Sequence, residues 1–87
     1  MNDIKQILFA RGKEYGTYKD VADTSQALKD EIRGHLKWQL LTNDKKESLD
    51  LICNKIARLL NGNQNHLDSW VDIQGYAKLI SDELEAE

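Results

Sequence analysis

Apolar residues recur at helical spacing through most of this chain, and the longest such pattern falls in residues 44–84. In DKKESLDLICNKIARLLNG, residues 44–62, Leu49, Ile52, Cys53, Ile56, Leu59 and Leu60 share one side of a helix with a period of about 3.6 residues. In LDSWVDIQGYAKLISDEL, residues 67–84, Trp70, Ile73, Ala77, Ile80 and Leu84 do the same. Asp44 and Glu47 have the spacing of a capping box that starts the first arm. Gly62 stands where a glycine ends a helix. The link NQNH is too short for anything but a tight reversal, so the arms are predicted to lie antiparallel. Either Asn65 or His66 could cap the second arm. The expected hairpin core is Leu49, Ile52, Ile56, Leu59, Trp70, Ile73 and Ile80.

Two weaker patterns precede the hairpin. Ile4, Ile7 and Leu8 give residues 2–14 a short apolar face, which Gly12 and Gly16 interrupt. A turn is expected at 15–18, with Gly16 suited to a positive φ. It is either a plain helix stop with a tyrosine packed beneath it or a ligand-facing loop with Tyr15, Lys13 and Lys19 at its mouth. In residues 19–36, Val21, Ser25, Leu28, Ile32 and Leu36 share one face of a second helix. His35 would lie near its C-terminal end, where the helix dipole favours a cation. The connector 37–43 is apolar, and Trp38, Leu40 and Leu41 are expected to cover the open end of a bundle. The pattern as a whole predicts an all-α fold: one domain, residues 1–87, a small bundle of about four helices built on the C-terminal antiparallel hairpin.

Composition sharpens this picture. There is no proline and there are only five glycines, which suits helices joined by short turns. At 87 residues the core is thin, and self-association into a homo-oligomer would help to complete it. The net charge of −3, with acids and bases interspersed, lacks the basic excess of a nucleic-acid-binding domain. A single cysteine, Cys53, allows no intrachain disulfide, and its place on an apolar stripe reads as a buried thiol in a reducing compartment. No apolar run approaches the roughly 20 residues that span a bilayer, and no secretory segment opens the chain. The expectation is a cytoplasmic protein with no membrane association.

One constellation carries chemistry. Asp68 and Asp72, spaced i, i+4, lie off the apolar stripe of the second arm, beside Val71, Gly75 and Leu79. A glycine within a helix costs about 1 kcal/mol relative to alanine, so Gly75 suggests the close approach of a helix or ligand. In an antiparallel hairpin these aspartates fall level with Lys55 and Arg58, and carboxylates drawn out of water need such partners. The four residues are expected to form one charged cluster between the arms, with Tyr15 and Tyr76 beside it. Lys55 and Arg58 could hold a phosphate through charge-assisted hydrogen bonds, and Tyr15 could stack on a base. The plain alternative is an ion-pair network that only fixes the hairpin. Two histidines far apart and one core cysteine give no zinc spacing, and there is no nucleophilic triad or phosphate-binding glycine loop.

The segments ARGKEYGTY and KIARLLNGN…DSWVDIQGYAKL resemble a small phage and prophage family with a Tyr-Gly turn and an Asp-Ser-x-x-Asp-Ile-x-Gly-Tyr signature. The pattern is also similar to the nucleotide-modification-associated domain and, distantly, to MazG-like all-α nucleotide pyrophosphohydrolases. Carried onto this chain, the resemblance points to Tyr15, Gly16, Lys55, Arg58, Asp68, Ser69, Asp72, Gly75 and Tyr76. It implies a phage-derived accessory protein that binds a phosphorylated nucleoside and hydrolyses it if Asp68 and Asp72 hold Mg²⁺ or Mn²⁺. MazG-like enzymes place Glu-x-x-Glu where this chain has Glu47-x-x-Asp50. At about 1.5 Å per residue, that pair lies roughly 15 Å along the hairpin from Asp68, beyond the reach of one ion. Only a dimer would bring the two acidic pairs together. The competing expectation is a non-enzymatic phage protein that binds and inhibits a host or defence protein.

Overall fold

The computed structural model describes residues 3–87. The chain forms four α-helices: α1, Ile4–Tyr15; α2, Tyr18–Arg33; α3, Asn43–Asn61; and α4, Leu67–Ala86. A 3-10 turn, Leu36–Leu40, joins α2 to α3, and no strand occurs among the described residues. The protein is an all-α bundle built on its C-terminal hairpin, as the hydrophobic pattern predicts. Among the described residues no helix is long and apolar enough to cross a membrane.

Helix ends depart from the sequence reading in instructive ways. The predicted start of the first helix at residue 2 lies outside the described residues. Asp3 caps α1, its carboxylate accepting from the Lys5 N–H at 3.0 Å. Gly12 does not interrupt α1, which runs through it to Tyr15. The turn before α2 is only Gly16 and Thr17, and the Thr17 hydroxyl accepts from the Asp20 N–H at 3.2 Å. The second helix stops at Arg33, not at residue 36. Leu36 therefore leaves the predicted face and is 94% exposed in the 3-10 turn. His35 lies outside the helix, at the start of that turn, with its Nε2 3.6 Å from Glu31. Of the three connector residues expected to close the bundle, Trp38 is buried and Leu41 half-buried, while Leu40 is exposed.

The predicted capping box at Asp44 is not formed. The cap of α3 is Thr42, so Asp44 is the second residue of the helix and Glu47 is exposed to solvent. The Thr42 hydroxyl instead donates to the Asp44 carboxylate, which also accepts from the Lys45 N–H at 3.0 Å. His66 caps α4.

α3 is the central helix, packed against α2 on one side and α4 on the other. Arg33 bonds Asp50 at 3.2 Å and Asn61 bonds Thr24 at 2.9 Å, so α2 runs antiparallel to α3 along one flank. Lys55 meets Asp72 at 2.9 Å, which sets the register of α4 along the other flank. At about 100° per residue these two flanks are nearly opposite, and the centre of the sequence stripe falls between them. This corrects the predicted core. Ile52, Ile56, Ile73 and Ile80 are only half-buried, and Leu49 and Trp70 are exposed. The Trp70 indole N–H donates to the Gln64 carbonyl at 2.9 Å, which holds the ring on the surface at the turn. The positions that are buried are small: Ala57, Ser25, Ser48 and Ser69, with Val21, Cys53, Leu59 and Trp38. Burial pushes the Cys53 thiol pKa up, so this cysteine behaves as a core residue.

Candidate functional site

The site is assembled by two glycines that let one backbone cross another. Gly16 has φ 91°, the left-handed region that a side chain disfavours, and a Cβ there would strike Asn61. A Cβ on Gly62 would strike the backbone of Glu14 and Tyr15. The Asn63 N–H donates to the Glu14 carbonyl at 2.8 Å across this crossing. The C-terminal end of α1 is thus pinned to the C-terminal end of α3, and Tyr15 is laid over the side of α3 that carries Arg58.

Tyr15 is held from two directions. The Arg58 guanidinium stacks on its ring, 4.6 Å from the centroid, and the His66 ring meets it edge-on at 5.0 Å. Arg58 is fixed in turn by donating its Nε–H to Asn54 Oδ1 at 3.1 Å. His66 Nδ1 accepts from the Ser69 N–H at 3.3 Å and lies 2.9 Å from the Ser69 hydroxyl. That use of the Nδ1 lone pair places the proton of the neutral ring on Nε2, which faces the Glu14 carboxylate at 4.0 Å.

A groove of about 970 Å³ opens between α1, the start of α2 and α3. Leu8, Phe9, Tyr15, Tyr18 and Val21 give it an apolar and aromatic lining, with Asn54 and Arg58 at its α3 wall. Lys5, Arg11 and Lys13 stand around it, and Lys13 Nζ lies 4.8 Å from the centre of the Phe9 ring. Among the described residues none of these three cations is ion-paired to a carboxylate. The groove is thus apolar at its walls and cationic at its rim, in a chain of net charge −3.

The residues expected to form one cluster are divided. Tyr15 and Arg58 face the groove. Lys55 and Asp72 form an ion pair that ties α3 to α4, with Lys55 largely buried and Asp72 nearly half exposed. Asp68 is exposed, and Tyr76 lines a separate crevice of about 430 Å³ near Asp44 and Glu83. Gly75 has no atom within 4 Å of the place its Cβ would occupy, so the close approach expected there does not come from this chain. The other acidic pair is split as well: Asp50 is bonded to Arg33, and Glu47 is solvated. Among the described residues no group of three or more histidines, cysteines, aspartates or glutamates could hold a metal ion. Asp68 and Asp72 offer two carboxylates, and Lys55 already neutralises one of them. This donor set does not fit Mg²⁺ or Mn²⁺, which need several oxygen ligands around one point.

At the opposite end of the hairpin the Asp44 and Glu83 carboxyls meet. Hydrogen bonds from Glu83 and from Thr42 hold Asp44 down to about 2, while the bond to Asp44 and its charge push Glu83 above the ordinary glutamate range. Both groups lie in solvent, and Lys45 is close enough to act on Glu83 in the opposite direction.

Lys5, Phe9, Tyr18 and Asn54 escaped the sequence reading. Phe9 did carry a signal, as a large apolar residue outside the Ile4, Ile7 and Leu8 face. Asn54 stands i, i+4 from Arg58, the spacing of neighbours on one helix face. Nothing local linked Gly16 to Gly62. Compared with protein-family models, with curated proteins and with solved structures, the chain matches none.

Proposed function

We propose that the protein binds a phosphorylated nucleoside in the groove between α1 and α3. The observation that carries this reading is the Arg58 guanidinium stacked on Tyr15 within a groove whose rim holds three cations that pair with no carboxylate among the described residues. A nucleobase is flat and apolar on its faces, which suits the Tyr15, Phe9 and Tyr18 rings. A phosphate needs cations that have not been neutralised, and Arg offers it two parallel N–H bonds. The volume suits a ligand of nucleotide size. Hydrolysis has no comparable support, because Asp72 is committed to Lys55 and Asp50 to Arg33. In this reading the protein is a binding accessory of phage nucleotide metabolism, the setting that the sequence resemblance implies.

The test is a thermal-shift panel of nucleoside mono-, di- and triphosphates, each with and without Mg²⁺ or Mn²⁺. A ligand at about 100 times its Kd adds about 2.7 kcal/mol. In a domain of this size that raises Tm by on the order of 10 °C. Arg58→Met and Tyr15→Leu should each remove the shift while leaving the helical circular dichroism in place. Lys55→Met should lower Tm but keep the shift, because Lys55 is outside the groove. A flat panel with wild-type protein overturns the reading. Recovery of a host protein by pull-down would then favour an inhibitor of a host or defence protein.

A further inference from the structure

The apolar stripes that mark the hairpin in sequence do not end in its core. Leu49 is 40% exposed, Leu60 69%, Trp70 54% and Leu84 50%. These are not scattered positions. The contact of Lys55 with Asp72 sets the levels of the two arms, so Leu60 lies beside Trp70 and Leu49 beside Ala77, with Leu84 beyond. At about 100° per residue, all of them turn toward the same side of the hairpin, along the seam between α3 and α4. Ile56 and Ile73 lie half-buried in the middle of that strip. Between Leu49 and Leu60, and between Trp70 and Leu84, the positions on this side are Ile52, Cys53, Ile56, Ile73, Gln74, Ala77, Ile80 and Ser81, with no charge among them. Elsewhere on α4 the exposed Leu67, Val71 and Leu79 stand among Asp68, Lys78 and Asp82.

α1 does not cover this side. It is pinned over Asn54 and Arg58, which lie about 160° around α3 from Ile56. α2 occupies the flank opposite α4. Among the described residues the strip therefore has no cover.

Size says what the cover is. A monomeric protein of 10.0 kDa is expected to expose about 5,200 Å². This chain exposes 6716 Å², an excess of about 1,500 Å². Its radius of gyration is 15.0 Å, where a compact domain of this length has about 12 Å. Part of that excess lies along α1 and its open groove, and the rest leaves room on the hairpin for a contact of the ordinary size of about 800 Å² per chain. A strip that is uncharged from Leu49 to Leu60 and from Trp70 to Ser81, with Lys45 at its Leu84 end, is matched in length and polarity by itself, as a twofold contact requires.

We infer that the Leu49–Leu60–Trp70–Leu84 side of the hairpin packs on the same side of a second copy, giving a twofold dimer whose core is the α3 and α4 helices of both chains. Two helical hairpins brought together by their apolar seams make a four-helix bundle, the arrangement that such stripes stabilise. The groove beneath α1 lies on the other side of α3 and stays open in both copies. Dimerisation and nucleotide binding can therefore fail independently.

Light scattering coupled to gel filtration, at tens of micromolar full-length protein, tests this. Wild-type protein should elute at twice the 10.0 kDa chain mass. Leu60→Glu and Leu49→Glu should each give the monomer mass with unchanged helical circular dichroism, because both side chains are already exposed in the single chain. Leu79→Glu and Leu8→Glu change equally exposed leucines on other faces, and both should remain dimeric. Gln74→Cys, near the middle of the strip, should form a disulfide-linked dimer on oxidation. A wild-type protein that stays at 10.0 kDa overturns the inference, as does a dimer that survives Leu60→Glu but dissociates with Leu79→Glu.

Discussion

The two ends of the α3–α4 hairpin are held by different forces. At the turn end, backbone meets backbone. Gly16 and Gly62 permit the crossing, the Asn63 N–H closes it, Asn61 donates to both Thr24 and the Ala57 carbonyl, and Ser69 is 1% exposed beneath the His66 cap. At the open end, Thr42, Asp44 and Glu83 meet in water. The first arrangement depends on shape, and close-packed atoms cannot move aside without losing contacts elsewhere. The second depends on a proton, and exposed side chains adjust at little cost. The turn end therefore has the rigidity to position Tyr15 and Arg58. The open end does not, and the crevice beside it offers acids to any ligand.

The largest effect tests that contrast directly. Gly62→Ala should destabilise by about 3 kcal/mol, because the added methyl group meets the Glu14 and Tyr15 backbone. Urea unfolding measures the loss, and hydrogen exchange should show α1 amides exchanging first. A loss near zero would mean that the crossing is loose and the groove wall mobile. Gly75→Ala is the control of opposite sign. It has space and sits inside a helix, so it should stabilise by about 1 kcal/mol in the same titration.

The ion pair in mid-hairpin should matter less than the glycine crossing. Asp72→Asn leaves the largely buried Lys55 without its carboxylate, but Asp72 is nearly half exposed and water can replace part of the bond. The expected loss is about 0.5–1 kcal/mol, and a thermal melt in high salt should narrow the difference. A loss several times larger would put the pair among the rigid elements of the turn end.

The smallest effect is one of pH. Asp44 is depressed in the folded protein, so its contribution is present above its unfolded pKa and is lost as pH falls toward about 2. Glu83 is raised, so its contribution is present below its unfolded pKa and is lost as pH rises through its folded value. The pair stabilises the fold between those limits, in mildly acid solution, and repels at neutral pH. Wild-type Tm should therefore gain slightly on going from neutral to mildly acid pH. In Glu83→Gln, whose amide donates to Asp44 at either pH, that gain should vanish. An unchanged profile would show that the two carboxyls do not share a proton.

Much of the fold was legible residue by residue. Period and turn signals gave the hairpin, a cap at Asn65 or His66, the positive φ at Gly16 and the buried Cys53, because each is set by residues within a few positions of one another. The register of the arms put Asp72 level with Lys55 and Arg58, since a short link between helices fixes levels, and the structure pairs it with Lys55 alone. The capping box at Asp44 failed because α3 starts two positions earlier, after Thr42, although Asp is the stronger cap by type and the Thr42 side chain makes no cap hydrogen bond. The groove was only half visible: Tyr15 and Arg58 stood out, whereas Phe9 and Lys5 gain their meaning from the placement of α1.

What the sequence determined by itself was which surfaces are apolar and that the chain is helical throughout, for these depend on period. Which part of each apolar stripe is buried was decided only in three dimensions. α3 is flanked on two nearly opposite sides, so the centre of its stripe, at Leu49 and Leu60, falls between its neighbours and stays exposed. The meeting of Tyr15 with Arg58 was decided in the same way. It depends on two glycines 46 positions apart passing within backbone contact, and no pattern along a chain encodes a distance between residues so remote.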